Sequence, residues 1–182
     1  MRVPGILLPV IPVAWALTAA LSAVGDDQPP IHGLTGTIAL PYNVDKFYSG
    51  VSDLVVKTND GIEHVVHVTK GTKVHGAASL GALTRGTPVV VHYSVKGIQA
   101  SAVEIDRLGP AGLRQNEGTV TNVDRKNRRL TIKFANGGTE TLRLSRYADD
   151  GSDGHTRRGS RVIVYYTDEA GQRVAHYFKP AK

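Results

Sequence analysis

The chain carries one pattern twice, and that repeat limits its fold more than any other feature. Gly36-Thr37-Ile38 returns as Gly118-Thr119-Val120, and Leu54-Val55-Val56-Lys57 returns as Leu130-Thr131-Ile132-Lys133. Asp60-Gly61 is matched by Asn136-Gly137, and Gly86-Thr87-Pro88-Val89 by Gly159-Ser160-Arg161-Val162. The offset between equivalent residues falls from 82 at Gly36/Gly118 to 73 at Gly86/Gly159, a drift that loop length absorbs. Each copy runs to about 65–75 residues, a size at which a lone hydrophobic core is marginal.

Apolar residues alternate with polar ones or run in short blocks broken by Gly, Asn and Asp, which is the pattern of strands. The first copy predicts strands over Thr35 to Leu40, Asp53 to Thr58, Glu63 to Thr69, Pro88 to Val95 and Ala100 to Ile105. The second predicts Gly118 to Val123, Arg129 to Ala135, Thr139 to Leu144, Arg161 to Tyr166 and Arg173 to Phe178. Asp60-Gly61 and Asn136-Gly137 supply the positive-φ positions of tight hairpins, so the second and third strands of each copy pair locally. Ala77 to Leu83 reads as one helical turn, and Leu108 to Arg114, with Gly109-Pro110 and Gly112, as the linker between copies. Closure of each copy into a five-stranded barrel removes the exposed strand edges that so small a sheet would leave. Composition leaves open whether the two barrels dock or stay loosely tethered.

The order of a G-T-[IV] strand, an apolar strand, an Asx-Gly turn, another strand, a G-x-x-V-x-V strand and a final Ala-containing strand resembles a family of small exported bacterial β-barrel domains of unknown function. Such domains occur in tandem behind a signal peptide and are related in shape to OB-folds. The resemblance spans nearly all of residues 34 to 179 and implies a fold, with no catalytic residue. The expected organisation is therefore all-β: an export segment at 1–25, a first OB-like barrel at 34–107 and a second at 115–180.

The export segment follows from charge. Between Arg2 and Asp26 no residue is charged, and small residues, Ala23-Val24-Gly25, precede Asp26-Asp27. A basic start, an apolar middle and a small-residue cleavage site make a secretory signal peptide, with cleavage expected after Gly25 or Ala23. A retained membrane anchor is the rival, and Pro4, Pro9 and Pro12 weigh against it because each removes a helical donor. The expected location is periplasmic or secreted, with membrane contact only through an uncleaved N-terminal segment. The chain has no cysteine, which removes disulfides, thiolate metal sites and cysteine nucleophiles together. Its one methionine is Met1 and its one tryptophan, Trp15, lies in the export segment.

Strand alternation sorts the faces. Leu130, Ile132, Phe134, Leu142, Leu144, Val162, Val164 and Tyr166 share the inner parity of the second copy, as do Leu54, Val56, Val66, Val68, Val89, Val91 and Tyr93 in the first. The outer parity carries His67 and His92 in the first copy, where the second has Arg143 and Tyr165. The four-cation turn Arg125-Lys126-Asn127-Arg128-Arg129, with Arg143 and Tyr165 nearby, suggests a contact surface for an envelope polyanion or a protein. Export sets nucleic acid aside as a partner.

The histidines give a second reading, a divalent Cu(II), Ni(II) or Zn(II) site. His64 and His67 cannot chelate together, since residues three apart on a strand face opposite ways. The cross-strand alternative is His67 with His92, if their strands adjoin, joined by His75. The run Asp149-Asp150-Gly151-Ser152-Asp153-Gly154 has part of a calcium-loop spacing, but Ser160 stands where a closing Glu belongs. Among carboxylates only Glu140, which aligns with His64 near a strand start, falls on a predicted inner face. There is no G-x-S-x-G elbow, H-E-x-x-H, P-loop or dinucleotide fingerprint, so a non-enzymatic binding or envelope-structural module without a cofactor is expected.

Overall fold

A computed structural model describes residues 29–41, 51–149 and 156–181. The expected export segment lies outside these residues, as does most of the acidic loop at 149–154. No helix among the described residues is long and apolar enough to cross a membrane.

The first copy forms strands β1 (Ile31–Leu40), β2 (Val51–Lys57), β3 (Glu63–Thr69), β4 (Lys73–His75), β5 (Pro88–Lys96) and β6 (Gln99–Arg107). The second forms β7 (Arg114–Asp124), β8 (Arg129–Phe134), β9 (Thr139–Asp149), β10 (Arg161–Glu169) and β11 (Gln172–Pro180). The second copy is a closed barrel in the order β10-β11-β9-β8-β7. The first is a sheet in the order β3-β2-β1-β5-β6-β4 in which β3 also pairs parallel with β6 at His67 and Ser101, leaving β4 outside the ring. The same cyclic order runs through both, with β3–β6 and β9–β11 as the equivalent parallel joints. The expected helical turn shrinks to a single 3-10 turn at Leu80–Ala82.

Each inner face buries the residues that alternation assigns to it. Leu54, Val56, Val66, Val68, Val89 and Val91 form one core with Ile38 and Ile105, and Tyr93 packs at its edge. Leu130, Ile132, Phe134, Leu142, Leu144, Val162, Val164 and Tyr166 form the other with Val120 and Phe178. At about 1.5–3 kcal/mol for each large side chain buried, these two cores are the main stabilising term of the fold. The repeated G-T-[IV] motif has a packing reason. A Cβ at Gly36 would strike the Lys57 carbonyl, and one at Gly118 would strike Ile132 and the Lys133 carbonyl, so glycine lets the first two strands of each copy cross closely.

The repeat extends to its irregularities. Ala39 and Thr121 are the extra residues of matching bulges between the first and second strands. Val103 and His176 are the extra residues of matching bulges between the last two. One element breaks the equivalence. The three-residue β4, which the sequence pattern did not announce, pairs parallel with the outer edge of β6 and sets His75 beside Asp106.

The barrels dock. Leu113 donates its N–H to the Arg107 carbonyl (2.8 Å), and Gly109 donates to Leu113 (2.9 Å), so the linker is a hydrogen-bonded turn rather than a loose tether. Gly112 presses on Arg107 and lies against Gly76, which ends β4, and neither position has room for a side chain. Val90, Leu113, Tyr165 and Tyr177 form a third apolar cluster between the copies, with Leu108 and Ile163 against it. Lys179 closes one end of this seam by donating to Thr35 Oγ1 (2.7 Å).

Candidate functional site

Beside the apolar cluster the seam turns polar. His92 lies on the outward face of β5, directly opposite Glu104 of β6, and Asp106 follows two residues on with the same outward parity. The short β4 brings His75 to the edge of that pair, and the bulge of β11 brings His176 from the second barrel. Five titratable groups from four strands thus converge where the barrels meet.

Their separations are short. His75 Nε2 stands 3.4 Å from Glu104 Oε2, and His92 Nε2 stands 3.5 Å from Asp106 Oδ2. His176 Nδ1 lies 3.8 Å from Glu104 Oε1 and 3.9 Å from Asp106 Oδ2. The ligand atoms of His75, Glu104 and Asp106 all fall within 4.8 Å of one another. His92 is 0 % exposed and Asp106 1 %, yet neither ring nitrogen of His92 and neither carboxylate oxygen of Asp106 makes a hydrogen bond. Buried polar groups left in that state cost about 1–3 kcal/mol each, more when charged.

The electrostatics tie the histidines to the carboxylates. Burial pushes the Glu104 carboxyl up, but the imidazoles of His176, His92 and His75 outweigh it and hold its pKa below the ordinary value. Burial pushes His176 down, and the carboxylates of Glu104, Asp106 and Glu169 outweigh that, holding it above the ordinary value. A lowered acid is stabilising until pH falls through its folded pKa, and a raised base until pH rises through its own. The seam's ion pairing is therefore strongest between those two points.

The other sequence-derived residues fall elsewhere. His67 and His92 do not meet, because β3 lies between β2 and β6 while β5 lies between β1 and β6; His67 instead pairs with Asp53 across β2. Tyr165 faces outward from its own barrel as alternation requires, but the first barrel covers it, leaving it 4 % exposed; a free contact surface through Tyr165 is corrected to a place in the seam. Arg143 holds Glu169 (3.0 Å). Arg125, Lys126, Arg128 and Arg129 form an exposed turn, with Arg128 reaching back to the carbonyls of Leu144 and Ser145. Glu140 is bound by Arg173 (2.6 Å) at the barrel rim. An open, mostly apolar groove of about 660 Å³ runs beside the linker past Thr37, Pro88, Leu113 and Tyr165.

Glu104, Asp106 and His176 are the residues that pattern reading passed over. A signal for two of them was present. In Ala102-Val103-Glu104-Ile105-Asp106 two acids share the outward parity, where the second copy has Tyr177 and Lys179. Nothing local distinguishes His176, whose direction depends on the bulge.

No protein-family model and no curated protein matches the chain. Among solved structures it is similar to silver-loaded CusF from Escherichia coli (13 % identity, 38 % of this chain and 92 % of that one, TM-score 0.34). It is also similar to the Unr CSD456 structure from Drosophila (12 %, 83 % and 62 %, TM-score 0.36). A third is a single-stranded DNA binding protein from Thermus aquaticus (15 %, 84 % and 91 %, TM-score 0.28). These likenesses select no ligand; the OB-like description of both barrels rests on their closure and strand order.

Proposed function

We propose that the chain is an exported, non-catalytic binding protein whose ligand is a divalent transition-metal ion, held in the seam by His75, Glu104 and Asp106. The observation that carries this is the convergence of three ligand atoms within 4.8 Å around buried donors that lack hydrogen bonds. The donor set is nitrogen and oxygen without sulfur, which suits Zn(II), Ni(II) or Cu(II) rather than a soft monovalent ion. His92, at 3.5 Å from Asp106 Oδ2, backs the carboxylate from inside, as outer partners of metal ligands commonly do. The non-catalytic reading is supported by burial: Glu104 is 7 % and Asp106 1 % exposed, while His75 lies at the exposed side of the group. The export reading is supported by Arg2, the uncharged run that follows and Ala23-Val24-Gly25.

Native mass spectrometry of the chain titrated with zinc tests the function directly. One zinc ion per chain is expected, lost in a His75→Ala, Glu104→Gln variant and retained in His67→Ala. Absence of any adduct in the parent protein, or equal uptake by the double variant, would overturn the reading.

A further inference from the structure

The three ligands named so far belong to the first barrel, and His176 belongs to the second. We infer that His176 Nδ1 is the fourth ligand, so that the ion is shared between the barrels and binds tightly only when they are docked. This rests on the metal reading above.

The argument begins with one hydroxyl. Thr167 Oγ1 donates to Glu169 Oε1 (2.9 Å), and it also lies 3.0 Å from His176 Nε2. A threonine hydroxyl has a single proton. With that proton committed to Glu169, the oxygen can only accept from His176, which places an N–H on Nε2. Arg143 fixes the arrangement from outside by holding the other Glu169 oxygen (3.0 Å), and Glu169 Oε1 also approaches Nε2 at 3.5 Å. In the neutral ring the lone pair is then on Nδ1, which makes no hydrogen bond and faces Glu104 and Asp106 at 3.8 and 3.9 Å. A lone pair facing two carboxylates calls for a positive charge between them, either a proton on Nδ1 or a bound cation, and the binding test below separates the two.

The geometry suits a metal ion in that place. Four donors about 2.0–2.2 Å from a tetrahedral zinc lie roughly 3.3–3.6 Å from one another. His75 stands at that edge length from Glu104 Oε2 (3.4 Å), and His176 Nδ1 stands 3.8 Å from Glu104 Oε1 and 3.9 Å from Asp106 Oδ2, so His176 must move inward by a few tenths of an ångström to join the three. Glu104 offers one oxygen to each barrel's histidine. A ligating imidazole whose second N–H is held by a hydroxyl or carboxylate is the ordinary outer arrangement of a metal site. The repeat supplies a contrast, because the equivalent bulge residue in the first copy is Val103, which cannot ligate. A bulge leaves its extra residue out of the ladder and re-aims the side chain, and here it turns histidine toward the other barrel.

The test is zinc binding by the full chain, read by calorimetry and by X-ray absorption at the zinc edge, for the parent, His176→Gln, His176→Val and His67→Ala. The glutamine variant can keep the Thr167 hydrogen bond, and the valine variant reproduces the first copy, so the two guard against a folding artefact in either. The expected result is two imidazoles on the zinc in the parent and in His67→Ala. Both His176 variants should show one imidazole and an affinity at least about tenfold weaker. Unchanged affinity and two imidazoles in both His176 variants would overturn the shared site and leave the first-barrel site standing. No zinc in the parent would overturn the metal reading itself.

Discussion

The outward faces of β5–β6 and β10–β11 occupy equivalent places in the repeat, but where the first has His92, Glu104 and Asp106 the second has Tyr165, Tyr177 and Lys179. The inward faces of the same strands stay interchangeable: Val89 and Val91 in one copy, Val162 and Val164 in the other. A barrel interior accepts few side chains at each position, because volume and parity are both fixed. An outer face has no such limit until something covers it. In this chain each copy covers the other, and the two faces have become unlike in a complementary way. One presents imidazoles and carboxylates, and the other presents aromatic rings, an ammonium group and the bulged His176. Chemistry is concentrated where the copies differ, and stability where they agree.

The largest effects should fall on the agreeing positions. Leu54→Ala and Leu130→Ala, equivalent and fully buried, should each cost about 2–5 kcal/mol in urea unfolding. Losses that differ severalfold between the two would break the equivalence of the inner faces. Next comes the seam: Tyr165→Ala should cost roughly 2–4 kcal/mol, near the lower end for truncating a buried aromatic residue, since the docked surfaces can partly close on the gap. Protease cleavage in the linker should rise with it, and a linker as resistant as the parent's would contradict docking through Tyr165.

Smaller are the effects at the differing positions. Asp106→Asn should weaken zinc binding by about tenfold or more, equivalent to 1.4 kcal/mol. It should also lower the metal-free melting temperature, because Asp106 is the buried partner of His92 and His176. Lys179→Met, at the equivalent place in the second copy, should leave zinc binding unchanged while losing the hydrogen bond to Thr35. A calorimetric titration paired with a melt of the metal-free protein separates the two. Smallest of all, Arg125→Ser with Lys126→Ser on the exposed turn should change stability by no more than about 0.5 kcal/mol. If that turn alone contacts a polyanion, the same variant should elute from an anionic resin at lower salt.

The strands were legible in the sequence because alternation, Asx-Gly turns and the repeat all pointed the same way. Glu63–Thr69 is predicted to the residue. Strands such as β7 and β9 run longer than their apolar pattern, since ladder hydrogen bonds continue past the last core residue. The site was legible in part. His92 and Tyr165 stood out as outward residues at one repeat position, but parity says only which way a side chain leaves its own barrel. It cannot say that the other barrel is there. β4 carries too few residues for any period, so His75 could be noticed as a histidine but not placed beside Asp106. His67 attracted attention for the same reason as His92, and only the strand order separates them.

The central claim is that the seam between the copies holds a divalent ion, and side-chain nitrogen resonances test it most directly. In a zinc titration of the full chain, long-range proton–nitrogen spectra should show the imidazoles of His75 and His176 shifting together at one equivalent, with His176 bound through Nδ1, while His32, His64 and His67 stay in place. Shifts confined to His64 and His67, or no imidazole shift at all, would contradict the account.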